Sequence, residues 1–161
     1  MANLPTLGPR GEGWVAIQAA LFVVVGLAGL AATSALHGPM AALAFGAGLA
    51  LIAGGAALVA AGIGELRRGE AFTALPRPRE AATLRESGPY RLVRHPVYGG
   101  LVLVALGWAL ARGSVPALVA TAALLVFFDL KRRREEAWLL MKFPTYAAYR
   151  ARTRRLIPWL Y

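Results

Sequence analysis

The chain has 161 residues, 58% of which are hydrophobic, and its mean hydropathy is +0.54. A soluble domain has about 45–50% apolar residues, so the excess favours lipid as the surrounding solvent. The absence of cysteine excludes disulfides and thiolate metal ligands, and the sequence predicts no metal site. The length predicts a single domain over residues 1–161.

Two long stretches without charged residues predict the first two membrane-spanning helices, at residues 14–36 and 39–64. Each exceeds the roughly 20 residues that cross a hydrocarbon core. Gly46, Ala50 and Gly54 form a small-residue stripe at four-residue spacing, which predicts close packing against another helix. A small transporter is one possible function for a chain with several spans. Ion-coupled transport normally needs an ionisable side chain inside a span, and no such side chain lies in the middle of a span here, so this function is disfavoured.

A polar loop is predicted at residues 65–96. Residues 65–94 contain seven arginines and four glutamates, and Pro76, Pro78 and Pro89 exclude one continuous helix. Two shorter apolar stretches, 97–111 and 115–130, follow as a helical hairpin. A 15-residue helix is only about 22 Å long, so the hairpin is either a short pair of spans or a re-entrant excursion.

The C-terminal segment, residues 131–161, is basic and predicts a cytoplasmic amphipathic helix that ends at Pro144. With four crossings, all of the 18 lysines and arginines except Arg112 lie on one side of the membrane. The positive-inside rule makes this side, with both termini, cytoplasmic. The net charge of +10 therefore predicts contact with lipid headgroups and no nucleic-acid partner.

Two polar clusters can carry chemistry, and both are predicted at the cytoplasmic face. The first contains His95, at the start of the third apolar stretch, where an interfacial residue without catalytic function is also typical. The second is the run of charges at residues 131–136. Lys131 and Glu135 lie four residues apart there and can form an ordinary helical ion pair.

Together the clusters resemble a known family. The pattern runs Gly88-Pro89-Tyr90, Arg94-His95-Pro96, Tyr98 and Gly100, then a hydrophobic hairpin, Glu135-Glu136, Phe143, Tyr146, Tyr149 and Ile157-Pro158. It resembles the isoprenylcysteine carboxyl methyltransferases and covers residues from about 70 to 160. Phospholipid and thiol methyltransferases have a similar pattern.

The resemblance implies an all-α integral membrane protein with about four spans that binds S-adenosyl-L-methionine and releases S-adenosyl-L-homocysteine. The chain has no G-x-G-x-x-G motif, so a Rossmann-type nucleotide site has no support. By resemblance, the cofactor lies between the Arg-His-Pro region and the Glu-Glu helix. The implied cofactor-binding residues are Ala82, Thr83, Leu84, Arg85, Tyr90, His95, Pro96, Val97, Tyr98, Glu135 and Glu136.

The implied catalytic residues are His95, Lys131 and Arg132. Lys131 stands where the family has a substrate-facing arginine, a role that Arg132 or Arg134 can also take. A carboxylate acceptor needs no general base, whereas an amine or thiol must lose a proton, and His95 is the expected proton acceptor. The resemblance implies a methyltransferase that acts on a lipophilic acceptor, most like isoprenylcysteine carboxyl O-methylation, with phospholipid N-methylation or thiol S-methylation as the alternative. We expect it in the cytoplasmic membrane of a bacterium or archaeon, and a non-catalytic membrane scaffold is the remaining alternative.

Overall fold

The computed structural model describes residues 4–31 and 34–156. This part of the chain is helical, which confirms the all-α prediction, and its only β-type pairing is a single bridge between Val93 and Arg154. A 3₁₀ turn, Gly88–Arg91, interrupts the polar loop. The α-helices are α1 (Glu12–Ala31), α2 (Gly38–Arg68), α3 (Pro96–Ala111), α4 (Val115–Lys142) and α5 (Tyr146–Arg152).

Helices α2 and α3 pack closely in an antiparallel pair through glycines. A Cβ atom on Gly55 would lie 2.6 Å from the carbonyl oxygen of Gly100, and one on Gly48 would lie 2.5 Å from that of Gly107. The helix backbones therefore touch at points seven residues apart, because no side chain separates them there.

The prediction that Gly46 and Gly54 form the packing stripe is wrong. A Cβ atom on either glycine would have open space around it. Gly48 and Gly55 lie on a different face of α2, and that face contacts α3. Small residues occur all round α2, so their four-residue spacing did not identify the packed side.

Helix α4 packs against α1 and α3 around an aromatic core. The ring centroids of Trp14 and Phe127 lie 5.7 Å apart, and those of Phe22 and Phe128 lie 6.3 Å apart. Ser114 caps the start of α4 by accepting a hydrogen bond from the backbone N–H of Ala117, as expected for an N-cap serine.

Within the described residues, α1 and α2 have the length and apolar composition needed to cross a membrane. Only 17% and 11% of their most apolar windows are buried inside the protein. A core helix of a soluble protein would be mostly buried, and α2 is also too far from the N-terminus to be a signal sequence. Helix α3, with 16 residues, and the apolar half of α4 are shorter, so a count of four spans stays a prediction.

Several predicted boundaries differ from the structure. Helix α4 continues through the predicted boundary between residues 130 and 131. The change from apolar to charged side chains marks a change of environment, and the helical backbone continues through it. It ends at Lys142, just before Pro144, as predicted. Helix α2 extends to Arg68, four residues into the predicted loop. Residues 34–36 are not helical, and residues 1–3, 32–33 and 157–161, including Ile157-Pro158, lie outside the described part.

The polar segments gather at one end of the helices. The guanidinium of Arg77 donates to the carbonyl of Pro9, and Arg94 bonds to the carbonyl of Thr153. At the opposite end, Arg112 donates to the carbonyl of Gly29 at 3.0 Å. The N-terminal segment, the loop after α2 and the C-terminal segment therefore meet, and Arg112 is the basic residue at the far end.

Candidate active site

The segment that carries the Arg-His-Pro motif is held by the C-terminal part of the chain. The backbone N–H groups of Arg94 and His95 donate to the carbonyls of Arg154 and Arg155, at 2.8 and 3.0 Å. Nearby, the hydroxyl of Tyr149 donates to the carbonyl of Tyr90 at 2.8 Å. Residues about 60 positions apart thus fix the backbone from which His95 projects.

His95 and Arg94 share the buried carboxylate of Glu136 on α4. His95 Nε2 and Arg94 Nε lie 3.2 and 3.1 Å from Oε1 of Glu136, and the Glu136 side chain is 4% exposed. Burial alone would raise the pKa of Glu136, but His95 and Arg94 outweigh it and lower that pKa to about 2. The network therefore anchors the motif to α4 through a buried anion.

Glu135, the neighbouring carboxylate, has different partners. Its Oε2 accepts a hydrogen bond of 2.7 Å from the hydroxyl of Tyr98 and lies 3.8 Å from Nδ1 of His95. The rings of His95 and Tyr98 are stacked, with centroids 5.4 Å apart and an interplanar angle of 4°. Tyr98 also stacks on Phe128 at 4.7 Å, so the imidazole belongs to a continuous aromatic column.

The loop after α2 is organised by Glu65, which the sequence analysis did not single out. Its carboxylate accepts hydrogen bonds from Arg68, Arg85 and Ser87 at 2.6, 2.9 and 2.7 Å. Thr83 donates to the carbonyl of Gly69 at 3.1 Å. These bonds position residues 82–85 beside the end of α2. The first acidic residue after an apolar span was the available sequence signal.

These elements enclose a cavity, here called the first cavity, with an empty volume of about 810 Å³ that is partly open to solvent. Nine of the predicted site residues line it: Ala82, Thr83, Leu84, Arg85, Tyr90, His95, Val97, Tyr98 and Glu135. Further lining residues, to which no role was assigned from sequence, include Leu66, Phe72, Arg94, Leu139, Phe143, Tyr146 and Tyr149.

Four predicted site residues do not line this cavity. Pro96 is buried as the first residue of α3, and Glu136 lies in the ionic network. Lys131 Nζ donates to Gln18 and to the carbonyl of Ala74. Burial lowers its pKa to about 8, although the charge of Glu135 raises that pKa in part. Arg132 pairs with Asp129 and lines a separate cavity.

The family model of the phospholipid methyltransferases matches residues 43–146. This region is more than half of the chain and contains most of the residues that line the first cavity. The chain belongs to the phospholipid methyltransferase family. This family is part of the isoprenylcysteine carboxyl methyltransferase-like group, so the resemblance found in the sequence is confirmed. No curated protein and no solved structure matches the chain.

The family match begins inside α2, earlier than the predicted start near residue 70, and ends at Tyr146. It therefore includes most of the second span, which the sequence analysis treated as a generic helix. A phospholipid methyltransferase acts at a membrane, and the exposed apolar helices agree with an integral membrane protein. Members of this family generally use S-adenosylmethionine.

The polar groups of the first cavity fit such a cofactor. Nε of Arg85 and the hydroxyl of Tyr146 are buried and have no hydrogen-bond partner among the described residues. Buried polar atoms are normally paired, so these two atoms can bond to a ligand in the cavity. Glu135 adds an anionic acceptor, and Phe143 adds an aromatic wall. The cavity therefore has groups that are chemically complementary to the cofactor's carboxylate, ribose hydroxyls and sulfonium.

Proposed function

We propose that this protein is an S-adenosylmethionine-dependent methyltransferase that methylates the amino group of a membrane phospholipid. The observation that carries the proposal is the convergence of His95, Tyr98 and Glu135 on one cavity in a member of this family. Methylation of an isoprenylcysteine carboxylate or of a thiol is the alternative within the same chemistry.

Each lining residue has a role that follows from its chemistry. Arg85 is suited to the cofactor's carboxylate, because a guanidinium donates charge-assisted hydrogen bonds. Glu135 is suited to ribose hydroxyls or to the ammonium group. The hydroxyl of Tyr98 donates to Glu135 and so holds that carboxylate at the cavity. When bound, the cofactor supplies an electrophilic methyl group on a sulfonium sulfur, and alignment with the acceptor provides much of the rate enhancement.

His95 is the expected general base for an amine. Nε2 is engaged with Glu136, which leaves Nδ1 as the nitrogen that can take a proton from the acceptor's ammonium. The imidazolium so formed has carboxylate oxygens 3.2 and 3.8 Å from its nitrogens, and these stabilise the added charge. A carboxylate acceptor is already ionised and would not need a general base.

The position of Lys131 also favours an amine over a carboxylate. If the protein methylated an isoprenylcysteine carboxylate, Lys131 would be expected to bind that acidic acceptor. Here the ammonium of Lys131 is bonded to α1 and to the loop after α2, and the side chain does not line the first cavity. A carboxylate acceptor would therefore lack the cation expected at this position.

We further propose that the cavity faces the cytoplasm and that the acceptor enters from the lipid. The basic residues at this end follow the positive-inside rule, and four crossings place α3 and the first half of α4 in the bilayer. Each apolar segment of about 16 residues is about 24 Å long, so the bilayer thins locally around them. A thinner bilayer brings headgroups towards His95.

The test is methyl transfer by the full chain in liposomes. The protein is supplied with cofactor labelled in the methyl group and with phosphatidylethanolamine, a prenylated cysteine or an alkyl thiol. Labelled N-methylated phospholipid is the expected product, and His95→Gln should lower its rate at least about 100-fold. Label found only in the methyl ester of the prenylated cysteine would contradict amine methylation and favour a carboxylate acceptor. Cofactor binding without any labelled product would favour a non-catalytic scaffold.

A further inference from the structure

A second cavity has the buried carboxylate of Glu136 in its wall. It is called the basic cavity here, and its empty volume is about 1280 Å³, partly open to solvent. Among the described residues it shares no lining residue with the first cavity, so the proposed methyl transfer does not account for it. Its walls are Leu4, Leu130, Arg132, Arg133, Arg134, Glu136, Ala137, Leu140, Arg150 and Arg155.

The walls carry a large excess of positive charge. Within the part of the chain that the structure describes, five arginines line the basic cavity, and Glu136 is the acidic residue among the lining groups. The single charge of Glu136 is shared among Arg94, His95, Arg132 and Arg150. Asp129, which pairs with both Arg132 and Arg133, offsets one further charge. The remaining excess favours an anionic ligand.

Several of these arginines can reach a ligand. The side chains of Arg133 and Arg150 are 57% and 42% exposed, and they pair with Asp129 at 2.7 Å and with Glu136 at 3.5 Å. Ion pairs of exposed side chains contribute little to stability, so these arginines can turn towards a ligand at small cost. Nε of Arg134 is buried and has no hydrogen-bond partner in the described part of the chain, although its guanidinium lies over the ring of Trp138 at 4.4 Å. Guanidinium groups bind phosphate oxygens in a planar, bidentate geometry.

The apolar part of the cavity indicates that the anion belongs to a lipid. Leu130 lies at the end of the apolar half of α4, between Asp129 and the unbroken charged run that begins at Lys131. The cavity therefore lies where α4 leaves the hydrocarbon, at the depth of the headgroups. Leu140 and Ala137 extend the apolar wall. A free phosphate would leave these apolar residues uncovered, whereas a phospholipid can contact them and the arginines together.

We propose that the basic cavity binds the phosphate headgroup of an anionic phospholipid. The ligand is held by Arg133 and Arg150 at the opening and by the apolar wall of α4 beneath. The site is separate from the first cavity and does not depend on which acceptor is methylated.

The experiment measures binding of dihexanoyl-phosphatidylglycerol to the detergent-solubilised full chain by calorimetry. Replacement of both opening arginines, Arg133→Gln with Arg150→Gln, should weaken binding at least about tenfold. The matched control, Arg91→Gln with Arg154→Gln, removes two exposed charges at the same end of the protein that do not line the cavity. It should change the affinity less than about twofold.

Two results would overturn the proposal. An equal loss in both double variants would mean that the lipid responds only to the overall charge of this surface. Inorganic phosphate that binds as tightly as the lipid would mean a site for a free anion. If the double variant does not fold, Arg133→Gln alone is measured, because its side chain is the more exposed of the two; an affinity equal to that of the wild type would then contradict the proposal.

Discussion

Glu135 and Glu136 are adjacent on α4, yet their carboxylates have different surroundings. Successive helical residues point about 100° apart, so Glu135 lies at the first cavity with Tyr98, and Glu136 is buried between Arg94 and His95. Their side chains are 25% and 4% exposed. We therefore expect different consequences when each is replaced.

Glu136→Gln should destabilise the protein by about 3 kcal/mol, because removal of one partner from a buried ionic network leaves the other charges uncompensated. Chemical unfolding in detergent micelles, followed by circular dichroism, measures the change. Glu80→Gln is the control, since Glu80 is exposed. Equal unfolding midpoints for the two variants would show that the network does not contribute to stability.

The same carboxylate predicts a specific dependence on pH. The pKa of Glu136 is about 2 in the folded protein, below its ordinary value of 4.5. The stabilisation is therefore fully present above pH 4.5 and is lost as the pH falls towards 2. Unfolding of the wild type between pH 6 and 3 should show this loss, and Glu136→Gln should show a shallower dependence. Parallel curves would contradict the assignment.

Tyr146 and Tyr149 give a matched pair of hydroxyl deletions at the first cavity. The Tyr149 hydroxyl donates to the carbonyl of Tyr90, whereas the buried Tyr146 hydroxyl has no partner among the described residues. Tyr149→Phe should cost about 1 kcal/mol of stability. Tyr146→Phe should leave the ligand-free protein as stable as the wild type or slightly more so, but should weaken binding of S-adenosylhomocysteine.

Thermal unfolding and calorimetry on both variants measure these two effects. A Tyr146→Phe protein with lower stability and unchanged ligand affinity would show that the hydroxyl serves the fold and not a ligand.

The α2–α3 contact predicts opposite effects at two neighbouring glycines. Gly55→Ala places a methyl group 2.6 Å from the carbonyl oxygen of Gly100, and such overpacking should cost about 1–3 kcal/mol. Gly54→Ala meets open space and should be neutral or gain up to about 1 kcal/mol from helix propensity. Unfolding midpoints in detergent compare the two, and an equal loss would place α3 on another face of α2.

The helices and the pairing of the two polar clusters could be predicted from sequence because charge-free runs, prolines and the family pattern are local signals. The packed face of α2 could not, since glycine and alanine occur on every side and only the partner helix selects Gly48 and Gly55. Which of Glu135 and Glu136 reaches the cavity depends on the rotation of α4, which residue spacing leaves open. The unpaired hydroxyl of Tyr146 appears only when its neighbours are known.

The central claim is that the first cavity binds the methyl-donor cofactor through groups on both sides, and calorimetry with S-adenosylhomocysteine on the solubilised chain tests it most directly. We expect saturable binding by the wild type, at least about tenfold weaker binding by Glu135→Gln, which loses a charge-assisted hydrogen bond to the ligand, and an affinity close to wild type for Glu80→Gln. Absence of binding by the folded wild type, or equal affinities in all three proteins, would contradict the account.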